Sequence, residues 1–563
     1  MAPARTDISS DKPRAAHTGD VYADNLDVDV LIVGAGFSGV YLLHRLRDEL
    51  GFSTKIYEAA TDLGGIWHWN CYPGARVDTP IPCYEFSLPA LWKIYQDWTW
   101  KEKYPSYKEL REYFKHIDKV LEISKDTAFE SRVVSAEWDK ESYRWVVMTE
   151  DGRTARCKWL INALGFAAKR NFPDWKGMEN FKGEIHHSSF WPQEGIDFKD
   201  KKVAVIGTGA TGIQLSQEVG QMAASTTVFQ RTPNLCLPMR QRKVTAEEQN
   251  NAKDTYPDYF KHRMTTFAGF PYDFSEKNTF DDTPEEREKF YQKLWDNGGF
   301  EYWLATYKDM LFDWDANDQA WQFWSKKTRE RIKDPRKRDI LAPTKAPHAW
   351  GTKRPSLEQN FYEVMDQPNN DVVDIKNNPV VEVKENGIVT EDGQLREFDI
   401  IVMATGFDSV TGGMKNMGLK DENGTDIKDK WADGTLTYMG MALAGYPNMF
   451  FLYGAQGPTA FSNGPSCVEL QGEWIVDAIA KAWKENITYL NAKEEDEEKW
   501  RLMIKELNDK TLFPYTNSWY MGANIPGKIR EQLNWPGGFP SYEKETREVL
   551  NQGFRGFEIR SAA

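Results

Sequence analysis

Val28-Asp29-Val30-Leu31-Ile32-Val33-Gly34-Ala35-Gly36-Phe37-Ser38-Gly39 is the stretch on which the reading of this chain turns. The β-branched run Val28 to Val33 reads as a buried parallel strand. Three glycines follow at G-x-G-x-x-G spacing, and an amphipathic helix runs on through about Leu50. Each glycine has a mechanical reason: Gly34 permits a tight turn, Gly36 lets the backbone approach a pyrophosphate, and Gly39 lets the helix pack on the strand. The helix N-terminus, with Phe37 and Ser38 in its first turn, offers free N–H groups and a positive dipole to phosphates. A second strand, Thr54 to Tyr57, stops at Glu58, roughly 20 residues after Gly39 and placed to accept from ribose hydroxyls. Strand, turn, helix, strand is the opening of a doubly wound α/β domain.

The pattern recurs in mid-chain. Lys202 to Ile206 reads as a strand, Gly207-Thr208-Gly209-Ala210-Thr211-Gly212 as the turn, and Thr226 to Phe229 as the strand after the next helix. Where an NAD-binding unit would carry Asp or Glu stands Arg231, followed by Thr232. An arginine cannot accept a ribose hydroxyl proton, but its fork grips a 2′-phosphate. The first unit therefore reads as an FAD site and the second as an NADPH site. The plain alternative for Arg231 is a solvated surface charge.

Composition narrows the classes. A chain of 563 residues is too long for one core. Its net charge of −14 argues against general nucleic-acid or anionic-membrane binding. Five scattered cysteines, none in CxxC spacing or beside a histidine, suit free thiols in a reducing compartment and give no metal site. The first 22 residues are polar and lack the apolar core of a signal peptide, and no run is long enough to span a membrane. A cytoplasmic monomer with no obligate protein partner is expected.

Five segments follow from these landmarks. Residues 1–165 form the first part of the FAD domain and 166–236 the first part of the NADP domain. Residues 237–344, rich in charged and aromatic residues at helical spacing, read as a helical insertion. Residues 345–395 complete the NADP domain, and 396–563 complete a discontinuous FAD domain around it.

Two motifs lie beside the glycine turns. Phe181-Lys182-Gly183-Glu184-Ile185-His186-His187-Ser188-Ser189-Phe190-Trp191-Pro192 fits F-x-G-x-x-x-H-x-x-x-W-P at every fixed position. Gly64-Gly65-Ile66-Trp67-His68-Trp69-Asn70-Cys71-Tyr72-Pro73-Gly74-Ala75-Arg76-Val77-Asp78 fits G-G-x-W-x-x-x-x-[FY]-P-G-x-x-x-D without exception. With these the chain resembles the type I Baeyer–Villiger monooxygenases, from about Val28 to about Trp535. Gly351-Thr352-Lys353-Arg354-Pro355 is similar to that family's active-site arginine loop, and Ser518-Trp519-Tyr520-Met521-Gly522-Ala523-Asn524 to its mobile loop. One departure is Asn162-Ala163-Leu164-Gly165, where the family usually has Ala-Thr-Gly; Ala404-Thr405-Gly406 keeps that form.

The resemblance implies a reaction and a set of roles. NADPH reduces FAD, O2 adds at flavin C4a, and the resulting peroxide attacks a ketone carbonyl, giving an ester or lactone and water. Apolar cyclic or aliphatic ketones are the implied substrates. Arg354 would be the cation that stabilises developing negative charge, and Asp78 would orient it. Gly65 and Trp67 would line the FAD side, while Arg231, Thr232, Lys353 and Trp519 would hold NADP. His187 reads as structural rather than catalytic. A flavin-containing or N-hydroxylating monooxygenase acting on sulfur or nitrogen remains the alternative. A disulfide reductase lacks its cysteine pair, and a non-catalytic sensor has no use for Asp78 and Arg354 together.

Overall fold

The computed structural model describes residues 20–89, 91 and 98–561. The polar stretch judged to lack a signal-peptide core lies, up to residue 19, outside them.

Two sheets organise the chain. In the first, Thr127–Ala128, Thr54–Tyr57, Asn25–Val33 and Thr154–Asn162 run parallel in that order. Arg144–Thr149 and Val133–Asp139 extend it antiparallel, and Met449–Phe451 pairs parallel with the end of Thr154–Asn162. Asn25–Val33 begins by alternating exposed and buried residues, and Val30 to Val33 are all buried. That change marks where the strand becomes covered on both faces. The following helix, Phe37–Leu43, continues as the π-helical turn His44–Glu49.

The second sheet is parallel throughout: Asn370–Asp374, Ser225–Gln230, Lys202–Ile206, Ile400–Met403 and Glu184–His187. The sequence reading began the return to the first unit at residue 396. Ile400–Met403 instead pairs with Lys202–Ile206 on one side and Glu184–His187 on the other, so the return comes after Met403. A buried strand of four apolar residues carries no local mark of which parallel sheet it joins.

Between Leu237–Pro238 and Leu357–Glu358 the chain is helical, with Ala246–Ala252, Tyr256–Arg263, Pro284–Asn297, Trp314–Arg329 and Pro335–Leu341 as its main elements. Sequence sets their starts. Thr283 and Glu286 form a reciprocal capping box with Pro284 in the first turn, and the Asp313 side chain accepts from Ala316 N–H. Aromatic residues hold them together: Tyr291 of Pro284–Asn297 meets Phe323 of Trp314–Arg329 at 5.5 Å, and Trp324 lies against Trp350 at 5.9 Å. No helix among the described residues is long and apolar enough to cross a membrane.

The two glycine turns repeat each other in detail. Gly34 and Gly207 have φ of 108° and 105°, and a Cβ on either would stand 2.6 Å from a carbonyl oxygen, of Ala163 or Ala404 respectively. Those alanines open the two crossings between the sheets. A Cβ on Gly39 or Gly212 would lie 1.9 or 2.1 Å from the carbonyl oxygen of Gly34 or Gly207, so the helix reaches its strand only through glycine. Gly212→Ala should therefore destabilise the fold by about 3 kcal/mol or more, since backbone blocks relaxation. Chemical denaturation followed by circular dichroism measures this, and an unchanged midpoint would contradict the packing described.

Candidate active site

The first cradle forms where the opening turn meets the Gly64–Asp78 stretch. Gly36 caps its helix with extended backbone and no side-chain acceptor, leaving the first-turn N–H groups open. Gly65 lies so close that a Cβ there would stand 2.9 Å from Gly36 Cα. Phe37, Ser38 and Gly39 are buried in the helix, and Phe37 packs edge-on against Tyr84 at 5.3 Å. Trp67 Nε1 donates to Tyr84 Oη at 3.2 Å. Glu58 is buried and accepts from Ala35 N–H at 2.6 Å and Ala60 N–H at 2.7 Å. Burial pushes its pKa above the usual carboxylate range. An uncapped helix start beside bare glycine backbone fits a pyrophosphate, and the carboxylate keeps lone pairs for a ribose.

The second cradle is more open. Gly209 also caps its helix without a side-chain acceptor, and a Cβ on it would meet nothing within 4 Å. Ala210 and Arg231 are exposed, Thr211 and Thr232 partly so. The Thr232 carbonyl accepts from Thr208 Oγ1 at 2.9 Å. Among the described residues neither Arg231 nor Lys353 has a hydrogen-bond or ion-pair partner. Burial, then the nearby charges of Arg231 and Lys376, lower the Lys353 pKa to about 8. Cations gathered without a counter-charge beside an open helix start fit the 2′-phosphate and pyrophosphate of NADPH.

Asp78 and Arg354 join the two sides. Arg354 Nε and Nη2 donate to the two Asp78 oxygens at 2.8 and 2.9 Å, a bidentate fork. Nη1 donates to the carbonyls of Ala460 and Ser462, each at 3.1 Å. The guanidinium lies over the rings of Phe300 at 4.7 Å and Trp303 at 5.8 Å. Burial works against its charge, but Asp78 outweighs that and raises its pKa above the usual arginine value. Arg354 is thus a permanent, oriented cation in an aromatic setting.

The Gly64–Asp78 stretch reaches both cradles. The Tyr72 hydroxyl donates to Gln214 Oε1 at 2.9 Å on the helix Ala210–Met222, and Gln214 Nε2 donates to Arg76 O at 3.1 Å. A Cβ on Gly74 would stand 2.7 Å from Gln214 O, which accounts for the glycine. The second motif docks on this stretch: Trp69 stacks with Phe190 at 5.9 Å, and Cys71 Sγ faces Trp191 O at 3.7 Å. His187 is buried, its Nδ1 accepting from Ser189 N–H at 3.2 Å. Burial, then Arg170, push its pKa down to about 4, so the ring is neutral near pH 7.

Trp519 is stacked on Phe166 at 5.7 Å, just after Gly165 in the first crossing. Farther along the loop, Asn524 Nδ2 donates to Phe407 O at 2.8 Å, and Lys528 Nζ to Asp408 Oδ1 at 2.9 Å, both in the second crossing. Gly165 and Gly406 have φ of 67° and 75°. The departure at Leu164 therefore keeps the glycine of positive φ. What it loses is a hydroxyl such as that of Thr405, which donates to Asn171 O at 2.6 Å. Sequence reasoning missed Tyr72, Gln214, Phe166, Phe300, Trp303 and the Ala460 and Ser462 carbonyls. Backbone carbonyls leave no trace in residue type, and the aromatic residues of the insertion were indistinguishable from its core.

Known proteins resemble this chain over nearly its whole length. A family model described as flavin-binding monooxygenase-like matches residues 27–241. An FAD-binding monooxygenase, acrE, of Aspergillus aculeatus is 48% identical over 96% of this chain and 91% of its own. The cyclopentanone 1,2-monooxygenase of a Comamonas species is 45% identical over 95% of this chain and 97% of its own. The crystal structure of cyclohexanone monooxygenase from Rhodococcus bound to NADP+ superposes with a TM-score of 0.91. It is 36% identical, covering 96% of this chain and all of that one.

The tuned lysine gives a pH dependence with a definite sign. Its ammonium attracts phosphate, so NADPH affinity should be highest while Lys353 is protonated, below about pH 8. It should weaken as pH rises from there towards 10.5, the ordinary lysine value. The decline begins at the value of the free protein and ends at the higher pKa that bound phosphate imposes. Lys353→Arg should flatten the profile, because arginine stays charged throughout. Calorimetric titration with NADPH across this range decides, and a flat wild-type profile would remove Lys353 from the phosphate site.

Proposed function

The chain belongs to the Baeyer–Villiger ketone monooxygenases of the flavin-binding monooxygenase-like family, and on that premise we propose how its own residues carry the reaction. The enzyme uses FAD, NADPH and O2 to insert one oxygen atom beside a ketone carbonyl. The products are an ester or lactone, NADP+ and water. Bound FAD would supply hydride acceptance from NADPH and the activation of O2, chemistry that belongs to the cofactor.

The protein supplies binding, orientation and a fixed charge. FAD is held by Gly34, Gly36, Phe37, Ser38, Gly39, Glu58, Gly65 and Trp67. Gly207, Gly209, Ala210, Thr211, Gly212, Arg231, Thr232, Lys353 and Trp519 would hold NADPH. Arg354 stabilises the negative charge that grows on the ketone oxygen as its carbon becomes tetrahedral. Asp78 holds the guanidinium plane and keeps its charge from wandering. The observation that carries this assignment is the bidentate pair itself, a permanent cation with its fork fixed by one carboxylate.

Phe300, Trp303 and Phe461, all within the aromatic surroundings of Arg354 and Tyr520, favour apolar cyclic or aliphatic ketones. Ketone names among the relatives favour carbonyl over heteroatom substrates. All five cysteines are buried and unpaired, which suits a reducing cytoplasm. A monomer is sufficient, since one chain supplies every residue named.

Arg354→Ala should cut ester formation by ~10²–10³, the usual worth of a transition-state donor. Anaerobic reduction of FAD by NADPH should survive in part, because hydride transfer depends on positioning more than on this charge. Arg354→Lys should rescue poorly, since an ammonium lacks the planar fork. Stopped-flow reduction followed by mixing with O2 and a ketone separates the half-reactions. Normal ester yield from the alanine variant would take Arg354 out of the mechanism.

A further inference from the structure

We propose that Tyr520 is a positioning residue for Arg354, acting through the carbonyl oxygen of Ala460 that both side chains share. The inference rests on the role given to Arg354 above. Tyr520 is fully buried, and its hydroxyl donates to Ala460 O at 3.2 Å. Arg354 Nη1 donates to the same oxygen at 3.1 Å. A carbonyl oxygen has two lone pairs, so it accepts both donors. The peptide on the other side of Ala460 is also held, its N–H donating to Asn534 Oδ1 at 3.2 Å.

The ring of Tyr520 has little freedom of its own. It meets Phe461 at 5.2 Å, Phe513 at 5.7 Å and Trp519 at 4.6 Å. Its hydroxyl therefore goes where the loop goes, and Trp519 is the neighbouring residue. Arg354 has two kinds of anchor: Asp78 takes Nε and Nη2, and the carbonyls of Ala460 and Ser462 take Nη1. The first sets the plane of the guanidinium. The second, tied to Tyr520, takes both hydrogens of Nη1 and so fixes where the one remaining N–H, on Nη2, points. A misplaced loop thus becomes a misplaced charge without any loss of the Asp78 pair.

Removing one oxygen atom tests this. Tyr520→Phe keeps the ring packing and deletes only the donor to Ala460. The expected result is a shift in product partition: less ester and more hydrogen peroxide per NADPH, the wasted cycle being NADPH + H+ + O2 → NADP+ + H2O2. A neutral hydrogen bond is worth roughly a 2- to 10-fold change in an equilibrium, so the peroxide share should rise by about that factor. In the FAD-loaded, NADP+-bound protein, amide exchange over residues 459–463 should speed up while the melting temperature stays near wild type. Cyclopentanone serves as the probe ketone. Ester from the wild-type enzyme tests the proposed function, and the variant-to-wild-type ratio tests this inference separately. An unchanged peroxide share overturns the proposal. A lower melting temperature with unchanged partition also overturns it, leaving Tyr520 a packing residue only.

Discussion

Asp78 and Arg354 stand 276 residues apart in sequence and meet as a two-pronged ion pair. The pair closes a circuit. Asp78 ends the stretch whose first glycines press on the opening turn, and whose Tyr72 and Gly74 dock on the helix of the other turn. Arg354 follows Lys353, one of the unpartnered cations beside that second turn. One short peptide therefore touches both nucleotide cradles and ends at the charge between them. Strong, directional hydrogen bonds are needed here because the two cradles belong to different sheets.

The two halves use the same local solution. Each strand ends in a glycine with positive φ, pressed against the alanine carbonyl of a crossing, and each helix approaches through a glycine three residues after the second. This repetition leaves both helix starts without a side-chain cap, so that their first N–H groups can meet a phosphate. The crossings carry glycines of positive φ, Gly165 and Gly406, and the loop from Ser518 to Lys528 contacts both.

Charge is arranged so that each cation has a different status. Arg354 is paired and its pKa raised, so it is charged under all ordinary conditions. Lys353 is unpaired and lowered to about 8, so its charge is conditional and awaits a counter-ion. His187, pushed down to about 4, is not a cation near neutral pH. Burial opposes charge in all three; the presence or absence of a carboxylate partner decides the outcome.

Much of this was legible in residue order. The glycine spacing, the β-branched strands before it, Glu58 after one turn and Arg231 after the other follow from local geometry and donor chemistry, which residue type encodes directly. The stretch ending at Asp78 and the loop bearing Arg354 were legible as separate motifs. That they form a fork was not, because a pairing across 276 positions exists only once both sheets are packed. The membership of Ile400–Met403 in the second sheet was hidden for a similar reason: apolar strands of parallel sheets look alike until partners are chosen. Sequence by itself determined the two nucleotide-binding units and the residue types available for chemistry. Tertiary structure alone decided which side chains meet, and that Ala460, whose methyl group says nothing, lends its carbonyl to Arg354 and Tyr520. Backbone acceptors are the same at every residue, so only packing distinguishes one from another.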